Sequence, residues 1–279
     1  MAKLSFDIHY WSSTGNTRLA VELAAESLSE TGSEVVVVDV GVELQRFNDR
    51  QKGSDKATHS DEVFVEKSDL FILATPVHDF RMALIAEEYL RTLKFDENQK
   101  VAAIFTFAGF GDRTPLQFSK IAKQAGAIPW DYQNLICEDG WPVARNYIPP
   151  ICSWDEPSED RKEYFKAWWR AVPGRLQDND KGRSFWSIPT PFTPLSFLFH
   201  KKLIKHTFPL YIDLEKCTKC RACEKQCPTG RIDVENFPET EGECVACYGC
   251  INVCNENAID TWLTKGAPRY KGPQVKCQK

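Results

Sequence analysis

Apolar residues come in short runs along the first half of the chain, at 4–11, 34–40, 69–77 and 101–109, with a weaker run at 132–137. Runs of this length, bounded by polar stretches, read as buried strands. Between them the period changes. Leu19, Ala20, Leu23, Ala24 and Leu28 fall at three- and four-residue steps within 17–29, on one face of a helix. Leu84, Ile85, Tyr89, Leu90 and Leu93 repeat the pattern, as do Phe118, Ile121, Ala122 and Ala125, and then Tyr164, Phe165, Trp168 and Trp169. Strands alternating with helices predict an α/β fold, a doubly wound five-stranded parallel sheet covered on both faces. Ligands of such sheets sit beyond the carboxyl ends of the strands.

The first strand ends in Ser12, Ser13, Thr14, Gly15, Asn16 and Thr17 and leads straight into a helix. Short hydroxyl side chains, a glycine and the free N–H groups of a helix start form a phosphate cradle that needs no lysine. The plainer alternative is a Ser/Thr cap on a helix. A nucleotide P-loop is excluded by the lack of G-x-x-x-x-G-K, and Gly109-Phe110-Gly111 lacks the third glycine of a dinucleotide fingerprint.

The last quarter of the chain carries different chemistry. Of eleven cysteines, eight lie between Cys217 and Cys254. Cys217, Cys220 and Cys223 stand at steps of three with Cys227 four later, and Cys244, Cys247, Cys250 and Cys254 repeat those steps. This is the spacing of bacterial-type ferredoxins with two 4Fe–4S clusters, in which the fourth cysteine of each run serves the other cluster. One cluster therefore takes Cys217, Cys220, Cys223 and Cys254, and the other Cys244, Cys247, Cys250 and Cys227. Zinc also accepts four thiolates, but its sites pair two short C-x2-C knuckles and leave two intact triplets unexplained. Ile232 and Ile259, five residues past each fourth cysteine, are the expected apolar cover. Pro228 follows Cys227 but Asn255 follows Cys254, which predicts a looser second turn.

The S-S-T-G-N-T loop between strand and helix resembles the phosphate loop of flavodoxins. With the cysteine block behind it, nearly the whole chain resembles the flavodoxin–ferredoxin fusion family of prokaryotic iron–sulfur flavoproteins. That resemblance implies FMN, its phosphate on residues 12–17. It implies that the isoalloxazine ring lies between Thr75, Pro76, Val77 and His78, running on to Arg81, and Thr106, Phe107, Ala108 and Gly109, running on to Gly111. Members of the family carry Tyr and Gly where this chain has His78 and Phe80. The alternative is a flavodoxin-like domain without flavin, used as a scaffold. Gly140–Tyr147 resembles a further family motif that ends in Asn-Tyr.

Thirty-five Lys and Arg against 39 Asp and Glu give a net charge of −4, which does not suggest nucleic-acid binding. From Tyr211 to Trp262 there are ten acidic and five basic residues, so a redox partner with a basic docking surface is expected there, steered in a salt-dependent way. The tail from Leu263 has five basic residues and no acid, and either lies back on that acidic face or reaches a partner. The expected organisation is a flavodoxin-like domain at 1–172, a proline- and aromatic-rich joining segment at 173–209, a ferredoxin domain at 210–262 and a basic tail at 263–279. The prolines confine the joining segment to turns and extended chain, apart from one basic apolar helix at 195–205 that packs the domains together or lies on a membrane surface. The tryptophans are expected in the core and between domains, and Cys137, Cys152 and Cys277 are unassigned. Lys3, Asp7 and His9 interrupt any signal peptide and no run of about 18 apolar residues occurs, so a cytoplasmic protein is expected. The functional expectation is an electron carrier that links single-electron clusters to FMN. Two others remain: a flavin reductase of a small substrate with His78 or a tyrosine as proton donor, and an electron-wiring subunit of a larger complex.

Overall fold

The computed structural model describes residues 3–41, 63–78, 81–109, 111, 113–138, 156–185, 210–236, 244–262 and 264–273. Asp79, Phe80, Phe110, residues 140–147, Trp141, Trp154, Trp186, Cys152, Cys277 and the expected helix at 195–205 lie outside the described residues.

Five parallel strands form the main sheet: β1 (Ser5–Tyr10), β2 (Glu34–Asp39), β3 (Leu70–His78), β4 (Lys100–Phe107) and β5 (Ile128–Ile136). Their order is β2-β1-β3-β4-β5, all neighbours parallel. This is the flavodoxin order, in which the chain reverses direction between β1 and β3 and leaves a crevice at their carboxyl ends. A short return, Arg81–Met82, pairs antiparallel with the end of β3. Residues 70–75 of β3 and 101–106 of β4 are all buried, as strands covered on both faces must be.

Helix α1 (Asn16–Glu30) and helix α4 (Glu159–Gln177) cover one face, where Ile8, Ala20, Leu28, Phe165 and Trp169 are fully enclosed. Helices α2 (Leu84–Thr92) and α3 (Thr114–Gln124) cover the other, over Phe71, Leu73, Phe105 and Phe118. Ser158 caps α4, its hydroxyl accepting from the Arg161 N–H. Contrary to the expectation that the joining segment begins at 173 as turns and extended chain, α4 runs through Pro173 to Gln177. Arg175, in the last turn, forms a 2.6 Å ion pair with the wholly buried Asp131 of β5, and its guanidinium lies over Trp130 and Trp168. That anchor holds the last turn of α4 to the sheet. Of the tryptophans, Trp130 and Trp169 are in the core as expected.

The C-terminal part is a smaller unit. Strands β6 (Tyr211–Ile212) and β7 (Ile259–Asp260) pair antiparallel, and two one-turn helices, α5 (Ala222–Gln226) and α6 (Gly249–Val253), carry the middle of each cysteine run. Ile232, Val234, Ile251 and Ile259 make its core, with cysteine side chains packed around them. Among the described residues no helix is long and apolar enough to cross a membrane.

Candidate functional site

The two cysteine runs fold the same way. Lys219 and Arg221 have φ of 55° and 60°, and their counterparts Ala246 and Tyr248 have 50° and 56°. Left-handed residues on either side of the second cysteine bend each triplet into a tight loop, at a cost non-glycine residues accept only where the surroundings require it. The fourth cysteines match as well. Cys227 and Cys254 are both extended, and each carbonyl accepts a bond from the residue three ahead, Gly230 and Asn257, at 3.3 Å. Asn257 takes the left-handed conformation that Gly230 takes in the first copy. The absent second proline therefore leaves the turn unchanged, because backbone hydrogen bonding holds it and not the ring.

Each loop closes on a cavity. One is lined by Cys217, Cys220, Cys223 and Cys254, the other by Cys227, Cys244, Cys247 and Cys250. These are the two crossed quartets read from the spacing, brought together because each fourth cysteine lies beyond its helix and faces the opposite cavity. Ile232 lines the second cavity and Ile259 the first, so each supplies apolar cover. The backbone N–H groups of Arg231 and Ala258 point at the sulfurs of Cys227 and Cys254, at 3.2 and 3.3 Å. Such bonds stabilise negative charge on a cluster and raise its potential. Burial pushes the thiols up, Cys223 to about 11, Cys247 to about 12 and Cys250 also well above the ordinary range. Iron must therefore displace protons from these sulfurs, and low pH opposes its binding. The donor set, all sulfur in two fours, fits 4Fe–4S clusters.

The loop at residues 12–17 lies at the end of β1, in the crevice. Gly15 has φ 101°, α1 starts without a side-chain cap and has no acid in its first turn, and the Ser12 hydroxyl accepts from the Gly15 N–H at 3.1 Å. Arg18, Lys225 and Lys271 line a cavity of about 420 Å³ with Ser12, Ser13, Thr14 and Gly15. Hydroxyls, open helix N–H groups and cations are the chemistry a flavin phosphate requires. Thr17 instead shares a buried 2.8 Å bond with Thr106, and the Thr75 hydroxyl donates to the Pro76 carbonyl. Val77 and His78 lie on the short hairpin with Arg81 and Met82, and His78 meets the edge of the Trp11 ring at 5.7 Å. Phe107, Ala108 and Gly109 are half-buried at the end of β4.

The ferredoxin unit sits on this same loop. The Gln226 amide donates to the Ser13 carbonyl at 2.8 Å. The Tyr270 hydroxyl donates to Asn16 Oδ1 at 2.6 Å, while Asn16 Nδ2 donates to the Glu138 carbonyl. The Tyr270 N–H in turn donates to Asn252, between two cluster cysteines. At Gly272, φ +82°, an added Cβ would stand 2.7 Å from the Thr14 carbonyl oxygen, so only glycine allows the tail to lie this close. Arg269, nearly buried, pairs with Asp260 at 2.8 Å. Over residues 264–273 the tail thus lies back on the acidic domain, one of the two readings of the sequence, and also crosses to the sheet. Trp11, buried at the end of β1, packs with Ala83 and Ile85 against Val245 and Cys247. Trp11, Gln226, Asn252 and Tyr270 were not legible as site residues. The one signal was the apolar character of the second cysteine loop.

A family profile described as a 4Fe–4S dicluster domain matches residues 209–255. The chain joins a flavodoxin-like fold to a 4Fe–4S ferredoxin domain. Its C-terminal part is 44% identical over 46 residues to a subunit of the ion-translocating oxidoreductase complex of Methanosarcina acetivorans, 16% of this chain and 17% of that protein. It is 41% identical over 56 residues to the pyruvate synthase subunit PorD of Methanocaldococcus jannaschii, 19% of this chain and 65% of that protein. An uncharacterized protein of the same organism is 36% identical over 52 residues, of which the chain spans a fifth. The chain therefore spans only part of the curated relatives it matches. Among solved structures, a short-chain flavodoxin associated with a non-canonical PDU bacterial microcompartment aligns at 13% identity and TM-score 0.40, over 62% of this chain and 99% of that one. Rubredoxin oxygen:oxidoreductase of Desulfovibrio gigas aligns at 13% and 0.42, over 62% and 36%. The assignment of the fold rests on the strand order. An iron–sulfur domain of this kind supports electron transfer as the role of the chain.

Proposed function

We propose that this protein is an electron carrier in which two 4Fe–4S clusters, bound by the crossed cysteine quartets, exchange electrons with an FMN on the flavodoxin-like domain and with a partner oxidoreductase. The observation that carries this reading is the seat of the second quartet: the Cys247 loop packs on Trp11, directly beside the phosphate loop at the end of the sheet. When bound, the clusters supply single-electron steps and FMN supplies a centre that holds one or two. The chain's part is positional. Ser12, Ser13 and Thr14 offer hydroxyl and N–H donors to a phosphate, Gly15 shapes the turn, Arg18, Lys225 and Lys271 offset its charge, and Trp11, Val245 and Ile251 keep water from the second quartet.

The relatives named as subunits of redox complexes support a redox protein as the partner. A second reading is favoured by the packing of Tyr270, Gly272 and Gln226 on the loop, which already gives Asn16 and Ser13 hydrogen-bond partners within the chain and sets Gly272 against Thr14. On that reading the flavodoxin-like fold is a dock without flavin. Iron, acid-labile sulfide and released FMN measured on one anaerobically purified sample decide between them. About eight iron per chain with one FMN is the expected result. About eight iron without FMN establishes the dock, and an iron content near zero ends both readings.

A further inference from the structure

The two cysteine loops meet different surroundings. Cys220, the middle cysteine of the first triplet, is exposed, and so are Thr218, Lys219 and Arg221 around it. Its counterpart Cys247 is packed against Trp11, and the residues around it are half-buried or buried. The backbone of the two loops is the same, so their side chains make the difference. Where the first loop reads Thr218, Lys219, Arg221 and Ala222, the second reads Val245, Ala246, Tyr248 and Gly249. Every polar or charged position has become apolar or aromatic. At Gly249 an added Cβ would lie 3.0 Å from Gln226 and 3.3 Å from the Ser13 carbonyl oxygen. The second loop is thus built to be covered by the other domain, and the first to meet solvent.

We infer that the cluster held by Cys217, Cys220, Cys223 and Cys254 is the port at which electrons enter and leave the protein, through the Cys220 corner, and that the other cluster is the inner one. This rests on the two-cluster reading and not on FMN. The partner it fits is a one-electron carrier protein whose redox centre can approach the Cys220 corner. Charge at that corner is mixed: Lys219, beside Cys220, makes no ion pair among the described residues, whereas Arg221 on its other side is held by Glu235 at 2.7 Å and Glu224 at 3.8 Å, and Glu256 lines the same cavity. Lys219 is therefore the charge through which a partner or a small oxidant senses this corner.

Small oxidants of opposite charge test this on the holoprotein. The protein is reduced anaerobically, its iron and cluster EPR are recorded, and it is mixed at low salt with ferricyanide or with hexaammineruthenium(III). Each oxidant takes one electron from a reduced cluster, which returns to its oxidised state; no bond or proton moves. Lys219→Glu puts negative charge at the port. Lys123→Glu puts it on α3, in the flavodoxin-like domain. Lys219→Glu is expected to slow ferricyanide and to speed hexaammineruthenium, each by about threefold, with both effects lost near 0.5 M salt. Lys123→Glu is expected to leave both rates within about a third of wild type. Two clusters in the EPR with rates that respond to Lys123→Glu as much as to Lys219→Glu, or to neither, would overturn the assignment. About four iron and one cluster signal would instead show that the two-cluster reading fails, and the port with it.

Discussion

The two cysteine loops have the same spacing, the same left-handed residues and the same turn after the fourth cysteine, yet one meets water and the other meets the flavodoxin-like domain. Ligand geometry is set by the cysteines and by backbone dihedrals that tolerate Lys, Arg, Ala or Tyr. Direction is set by the four residues between the ligands, which carry no iron. A duplicated motif can thus keep its chemistry while its copies take different places in an electron path.

The strongest test removes one shared ligand. Cys227→Ser is expected to lower iron from about eight to about four per chain, and the cluster lost should be the one that Cys250→Ser removes, not the one that Cys223→Ser removes. EPR of the three reduced proteins checks it, and agreement of Cys227→Ser with Cys223→Ser would refute crossed ligation. Next comes the cover on the inner loop. Trp11→Ala deletes a buried ring at the end of β1 and is expected to destabilise the docked protein by about 3 kcal/mol. It should also make the inner cluster as quick to bleach in air as the outer one, where wild type shows two distinct rates. Absorbance decay of reduced protein after exposure to oxygen reads the bleaching, and denaturant unfolding reads the stability.

Smaller again is Gly272→Ala, which sets a methyl group 2.7 Å from the Thr14 carbonyl oxygen at a left-handed φ. A loss of about 2 kcal/mol is expected. Hydrogen exchange at residues 12–17 should rise while exchange in β3 and β4 stays as it was. Unchanged protection at 12–17 would show that the tail does not hold the domains together. The smallest effect concerns Cys137, a buried thiol outside both quartets whose pKa burial pushes up to about 12. The unfolded chain ionises this thiol first, near its ordinary value of about 8.5. The folded state therefore keeps its full stability below that pH and loses about 1.4 kcal/mol over roughly the first pH unit above it. Cys137→Ala should flatten that alkaline slope in anaerobic denaturant unfolding, and an unaltered slope would place the sensitivity elsewhere. Iron-bound cysteines do not contribute, since the metal already holds them ionised.

Much of the architecture was readable in advance because it is local. Strand runs, helical faces and ligand spacing each lie within one stretch of chain, so their periods survive in one dimension. The end of α4 was misplaced because proline is a weak breaker where a buried ion pair, here Arg175 with Asp131, anchors the turn beyond it. The second turn after Cys254 was misread for a similar reason, as the missing proline counted for less than the Asn257 N–H.

By itself the sequence determined the parallel sheet, the Ser/Thr-rich loop after β1 and the spacing of the two cysteine runs, because each needs only residue type and spacing. The tertiary structure decided which cysteine loop lies inside, that Trp11 packs on it, and that Asn16 bonds Tyr270 across 254 positions. Those pairings join segments far apart in the chain. Their partners are chosen by shape and hydrogen-bond geometry between folded surfaces, for which a linear pattern carries no period.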